Sequence, residues 1–208
     1  MRARFISLEG GEGVGKSTQA RRLAETLAKH GIEAIVTREP GGSAGAEAIR
    51  ELLLQGEGTR WNARAEALLF AAARADHVEK TIHPAIDRGQ WVICDRFLDS
   101  SRAYQGGAGG LDDEAILTLH RIGSGNYLPD RTLLLTLPNE EAAGRADVRD
   151  NGVTDRIGGR GSQYHSQVTT SLIAFAKADP DRFRIVDASG AESEVTDRLM
   201  AAISDLLS

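Results

Sequence analysis

The chain has 208 residues, 41% of them hydrophobic and 26% charged, with a net charge of −5. These values fit one folded domain spanning 1–208 and exclude wholesale disorder. The negative balance argues against nucleic acid or an anionic membrane as a partner, and the single cysteine excludes an internal disulfide and a thiolate zinc cage.

Residues 5–8 (FISL) are a short apolar run without polar alternation, the pattern of a strand buried on both faces. Glu9 breaks the run too early for a secretory signal, and no apolar run approaches the roughly 20 residues that span a bilayer. A reduced, cytoplasmic setting is therefore expected. Residues 10–17 read GGEGVGKS and satisfy G-x-x-x-x-G-K-[ST] between that strand and a helix predicted over 16–29. Glycines let successive N–H groups converge on a phosphate, and the helix N-terminus adds partial positive charge. Lys16 supplies a full charge, and the Ser17 hydroxyl can ligate Mg²⁺.

Further strands are expected at 34–36, 91–94, 133–137 and 183–186. Helices are expected near 44–55, 63–88, 112–123, 162–178 and 192–207. Alternating strands and helices predict a doubly wound α/β fold around a parallel sheet. Asp95, at the end of the strand at 91–94, falls where open α/β sheets bind ligands and can hold a metal-bound water. Cys94 reads as a small core residue. Residues 105–110 (QGGAGG) read as a flexible connection. Residues 145–161 are polar and glycine-rich, with Arg145, Arg149, Arg156 and Arg160 at spacings of 4, 7 and 4. They read as a solvated loop or a mobile lid, and three glycines at 158–161 predict a segment hard to order without nucleotide.

No N-K-x-D guanine motif is present, which disfavours a signalling GTPase and leaves a small-molecule kinase. The residues alone keep open a kinase for another nucleoside monophosphate, and a nucleotide-dependent switch. Phe70 and Arg74 share a helix face, so a ring could stack on a base while a guanidinium reads its carbonyl edge; their position also fits a core ring and a surface charge.

Residues 37–42 (TREPGG), 70–74 (FAAAR), 95–96 (DR) and 100–107 (SSRAYQGG), with the phosphate loop, resemble the signature segments of the bacterial thymidylate kinase family. The resemblance runs from residue 5 to residue 207. It implies transfer of the γ-phosphate of ATP to dTMP, a Mg²⁺ requirement and usually a homodimer. It also implies the nucleoside monophosphate kinase fold, a P-loop NTPase-type five-stranded parallel sheet flanked by helices, with a short arginine-rich lid over 145–161. By the same resemblance, Gly10, Gly11, Glu12, Gly13, Val14, Gly15, Lys16, Ser17 and Thr18 hold ATP. Glu39, Pro40, Arg50, Phe70, Arg74, Arg96, Ser100, Ser101, Tyr104 and Gln105 surround dTMP. Glu12 looks toward the 3′-OH, and Tyr104 excludes a ribose 2′-OH. Some thymidylate kinases carry an arginine in the phosphate loop where this chain has Gly13. The charge over the transferring phosphoryl is therefore expected from Arg149 and Arg156, with Arg145 on the adenine. Ser17 and Asp95 are the expected Mg²⁺ holders.

Overall fold

A computed structural model describes residues 2–138, 141–142, 144–145 and 155–207. Five parallel strands, β1 (Phe5–Glu9), β2 (Ala34–Arg38), β3 (Trp91–Asp95), β4 (Arg131–Thr136) and β5 (Phe183–Asp187), form one sheet in the order β2-β3-β1-β4-β5. The three central strands are buried, as their unbroken apolar runs require. The edge strands β2 and β5 are less covered than expected, with Val36 and Ile185 exposed. An edge strand has cover on fewer sides, so its apolar residues alternate between core and solvent.

Helix α1 (Lys16–Lys29) follows β1 directly and packs Leu23 and Leu27 into the core on one sheet face. Helices α2 (Ala44–Leu54), α3 (Ala63–His77) and α6 (Asp113–Ser124) start at Ser43, Asn62 and Asp112, each of which accepts a hydrogen bond from a first-turn N–H. The helix expected over 63–88 is three pieces. A wide turn at Val78–Ile82 separates α3 from α4 (His83–Asp87). Pro84 is the physical reason, since it has no N–H to donate and its ring crowds the carbonyl four residues back.

The short α5 (Leu98–Ser101) runs into a second wide turn at Arg102–Gly107. This turn corrects the expectation of a flexible connection from residue 105, because Gln105 and Gly106 are buried. A Cβ on Gly107 would collide with the Ser171 hydroxyl on α7 (Ser162–Ala178), so that glycine permits close packing. The chain closes with α8 (Glu192–Ala202) and a short 3₁₀ turn at Ser204–Leu206, so the last helix ends before residue 207. Among the described residues, no helix is long and apolar enough to cross a membrane.

Leu8 is fully buried on the central strand. Leu8→Ala should cost about 2–5 kcal/mol in urea unfolding; a loss under about 1 kcal/mol would mean that the core collapses around the gap.

Candidate active site

The carboxyl ends of β1 and β3 open into one cavity of about 730 Å³. Its first wall is the loop before α1. A Cβ on Gly10 (φ +144°) would lie 2.5 Å from the Leu135 carbonyl, so the loop turns against β4 only because that position has no side chain. Lys16 Nζ donates to the carbonyl oxygens of Gly10 (3.2 Å) and Gly11 (2.6 Å). Burial, and then the neighbouring Arg96, push Lys16 down to about 8, against the pull of Glu12, Asp95 and Glu9. The Ser17 hydroxyl donates to the Asp95 carboxylate. A hydroxyl beside a carboxylate is an all-oxygen donor set that fits Mg²⁺, which takes few protein ligands and fills its shell with water and phosphate. Among the described residues, no group of three or more His, Cys, Asp or Glu could hold a metal. Arg145 lies on the same wall, donating to Ala188 O and paired with Glu141 at 2.6 Å.

The opposite wall is built from α3 and the segment after β3. Arg74 is buried, and its Nε donates to Glu39 Oε2 at 2.8 Å. Its Nη2 donates to Phe97 O (3.2 Å) and Ser101 Oγ (2.7 Å). Glu39 Oε1 faces Nδ1 of the buried His77 at 3.1 Å, and His77 Nε2 meets Thr37 at 2.7 Å. The Glu39–Pro40 peptide bond is cis. Arg50 donates to Pro40 O at 2.7 Å.

Between the walls stands Arg96, with φ +70°, a conformation costly for any side chain but glycine. It donates to Gly10 O, Ser100 Oγ and Glu12 Oε1, the last at 2.7 Å. Its guanidinium lies 5.0 Å from the Tyr104 ring centre. Glu9, at the end of β1, accepts from the Phe97 and Ser100 amides and from the Ser100 hydroxyl (2.6 Å). Burial and the charge of Asp99 push Glu9 up to about 7, and those hydrogen bonds and Arg96 only partly offset the rise.

Most residues expected at the site line this one cavity: Glu12 through Thr18, Glu39, Pro40, Arg50, Phe70, Arg74, Asp95, Arg96, Ser100, Ser101, Tyr104, Gln105 and Arg145. Gly10 and Gly11 lie beneath, as carbonyl acceptors for Lys16. Arg149 falls outside the described residues. Arg156, expected over the phosphates, is not among the cavity's lining residues. Its buried guanidinium bonds Glu66 Oε2 at 2.6 Å and the Leu53 carbonyl at 2.7 Å. Residues 155–161 are also less loose than expected, for Arg156 and Ile157 are buried. A guanidinium and an apolar side chain anchor what the glycines would otherwise free. Sequence reasoning missed Glu9, Glu66 and His77. Glu66 shares a helix face with Phe70 and Arg74 at a spacing of four, so periodicity could have found it. Glu9 was visible only as an acid ending an apolar strand.

Residues 8–199 match the family model described as thymidylate kinase. The thymidylate kinase of Rhizorhabdus wittichii is 60% identical over 207 residues, covering 100% of both chains. That of Caulobacter vibrioides is 47% identical over 203 residues, covering 98% of this chain and 95% of its own. The crystal structure of thymidylate kinase from Ehrlichia chaffeensis aligns with a TM-score of 0.78 at 28% identity, covering 98% of this chain and 100% of that one.

Glu9 makes the cavity's cost of charge measurable. Its folded value of about 7 exceeds the ordinary 4.5, so the stability it contributes is full below pH 4.5 and lost as pH rises through 7. From pH 5 to pH 8, wild type should lose on the order of 3 kcal/mol relative to Glu9→Gln in paired urea titrations. Parallel pH profiles for the two proteins would show that Glu9 ionises as freely in the fold as in water.

Proposed function

The chain belongs to the thymidylate kinase family, and from that premise we propose that its cavity holds ATP and dTMP end to end, with Arg96 where the two meet. The enzyme transfers the γ-phosphate of ATP to dTMP, giving dTDP and ADP. One observation carries the assignment of sites. A single cavity joins an amide-rich loop with a buried lysine to a seat made of an aromatic ring, three arginines and an amide side chain.

In this reading the 10–18 loop and Lys16 hold the β- and γ-phosphates, and Arg145 borders the adenine. Phe70 stacks on thymine, Arg74 donates to its carbonyl edge, and Gln105 meets the imide. Tyr104 fills the space that a 2′-OH would need. Arg50 and Arg96 grip the acceptor phosphate, and Glu12 turns from Arg96 toward the 3′-OH. Glu39 keeps Arg74 in place.

Ser17 and Asp95 would hold Mg²⁺, which would neutralise charge on the transferring phosphoryl group. The acceptor is already anionic, so no strong base is needed and no covalent enzyme intermediate forms. The work of the chain is to align two anions and exclude water.

Two further parts of the reading concern setting. Leu68 on α3 and Ile122 on α6 are exposed, 56% and 78%, on helices that pack together, which supports a homodimer through that face. The buried, free Cys94, its thiol pushed up by burial, agrees with a reducing cytoplasm.

Purified protein with ATP, dTMP and Mg²⁺ should form dTDP. Lys16→Ala should lower kcat by at least about 100-fold with unfolding unchanged, and a tenth of normal kcat would contradict the assignment of Lys16. Phosphate contact should raise Lys16 from about 8, so ATP binding at pH 8 should take up protons. Calorimetry in buffers of different ionisation enthalpy should show that uptake in wild type and its loss in Lys16→Ala. Ile122→Glu should shift the protein from dimer to monomer in sedimentation; an unchanged species would move the dimer face elsewhere.

A further inference from the structure

Glu66 is a buried carboxylate with three donors and no direct place in the cavity. Its Oε2 accepts from Arg156 Nη2 and Arg160 Nη2, both at 2.6 Å. Its Oε1 accepts from Gln105 Nε2 at 3.0 Å. A carboxylate clasped by two guanidinium groups has only lone pairs to offer, so it admits one orientation of the Gln105 amide, with NH₂ toward Glu66. The carbonyl Oε1 of Gln105 must then face the other way. That oxygen is buried and has no hydrogen-bond partner among the described residues, although Gln105 lines the cavity. Buried acceptors are rarely left unpaired, and one bordering a binding cavity is best completed by a donor on the ligand.

We infer that Glu66 is a specificity-determining positioning residue: by fixing the Gln105 amide it makes the base seat require an N–H donor at the pyrimidine N3 position. Thymine carries that N–H. Cytosine presents a lone pair at N3, which would face Oε1 acceptor to acceptor. The inference rests on the reading that Gln105 borders the base. It adds that the choice between imide and amidine is made one shell behind Gln105, by the same carboxylate that anchors residues 156 and 160.

The test compares dTMP with 5-methyl-dCMP, which keeps the 5-methyl group and changes N3 and the 4-substituent. Glu66→Gln offers both donor and acceptor, so Gln105 can flip. The ratio of kcat/KM for dTMP over 5-methyl-dCMP should fall by about tenfold or more, chiefly through KM of the two acceptors, with KM for ATP unchanged. A structural defect alone would lower both activities together, so an unchanged ratio overturns the inference. Gln105→Leu separates the two layers. If it leaves the ratio intact, Gln105 does not read the base and the underlying reading fails. If it lowers the ratio while Glu66→Gln does not, only the role of Glu66 fails.

Should Glu66→Gln not fold, E66Q/R160Q replaces it, since one carboxylate against two guanidiniums and one guanidinium alone both leave +1. Wild type gives an independent reading by ¹⁵N NMR. A Gln105 side-chain amide bonded to a carboxylate should have a proton shifted downfield and slow to exchange. Shift and exchange like those of a solvent-exposed glutamine overturn the proposal.

Discussion

A buried guanidinium must be held in one direction, and here carboxylates do the holding. Arg74 is braced by Glu39, Arg96 by Glu12, and Arg156 by Glu66. Without such partners a buried guanidinium would be unpaired, a state that costs far more than the pair repays in stability. The pairs therefore act less as glue than as alignment. Each fixes a planar fork in a direction, and for Arg74 and Arg96 that direction is into the cavity. The hydrophobic clusters on the two sheet faces supply stability, and the cavity spends part of it on charge.

The same crowding sets the site's electrical balance. Glu9 rises to about 7 and Lys16 falls to about 8, each mainly because burial penalises its charge. Arg96 pays that penalty too, but Tyr104 and the surrounding carboxylates more than offset it and keep the guanidinium charged. The cavity thus carries several guanidinium groups as fixed cations, Arg96 among them, and two groups whose charge is easily shifted. Incoming phosphate favours the ammonium form of Lys16, so the site gains positive charge when it is needed.

Much of this was legible in the residues, for reasons that differ from place to place. The phosphate loop is written in backbone constraints, and glycines with one lysine can be read without tertiary knowledge. The strands could be found because burial on both faces leaves a plain apolar run, though some of their edges shifted by one or two residues. Phe70 and Arg74 were visible through helical spacing. Glu66, on the same face, was passed over because an acid on a helix usually faces water, and only the arrival of residues 156 and 160 makes it a core residue. Arg156 was misplaced for the converse reason. The polar, glycine-rich composition of 145–161 pointed to a loop or lid, but the segment after residue 155 forms turns and sends that side chain to α2 and α3. The glycines of 105–110 looked like freedom and prove to include a close packing contact, a distinction that needs the partner helix.

Arg96 joins two demands that rarely coincide. Its side chain bridges the loop, Ser100 and Glu12, while its main chain sits at φ +70°, where glycine is the comfortable residue. A replacement that eases the backbone forfeits the guanidinium, and one that keeps a long cation loses the fork. An inhibitor anchored on this arginine would accordingly leave the enzyme few single-step routes to resistance.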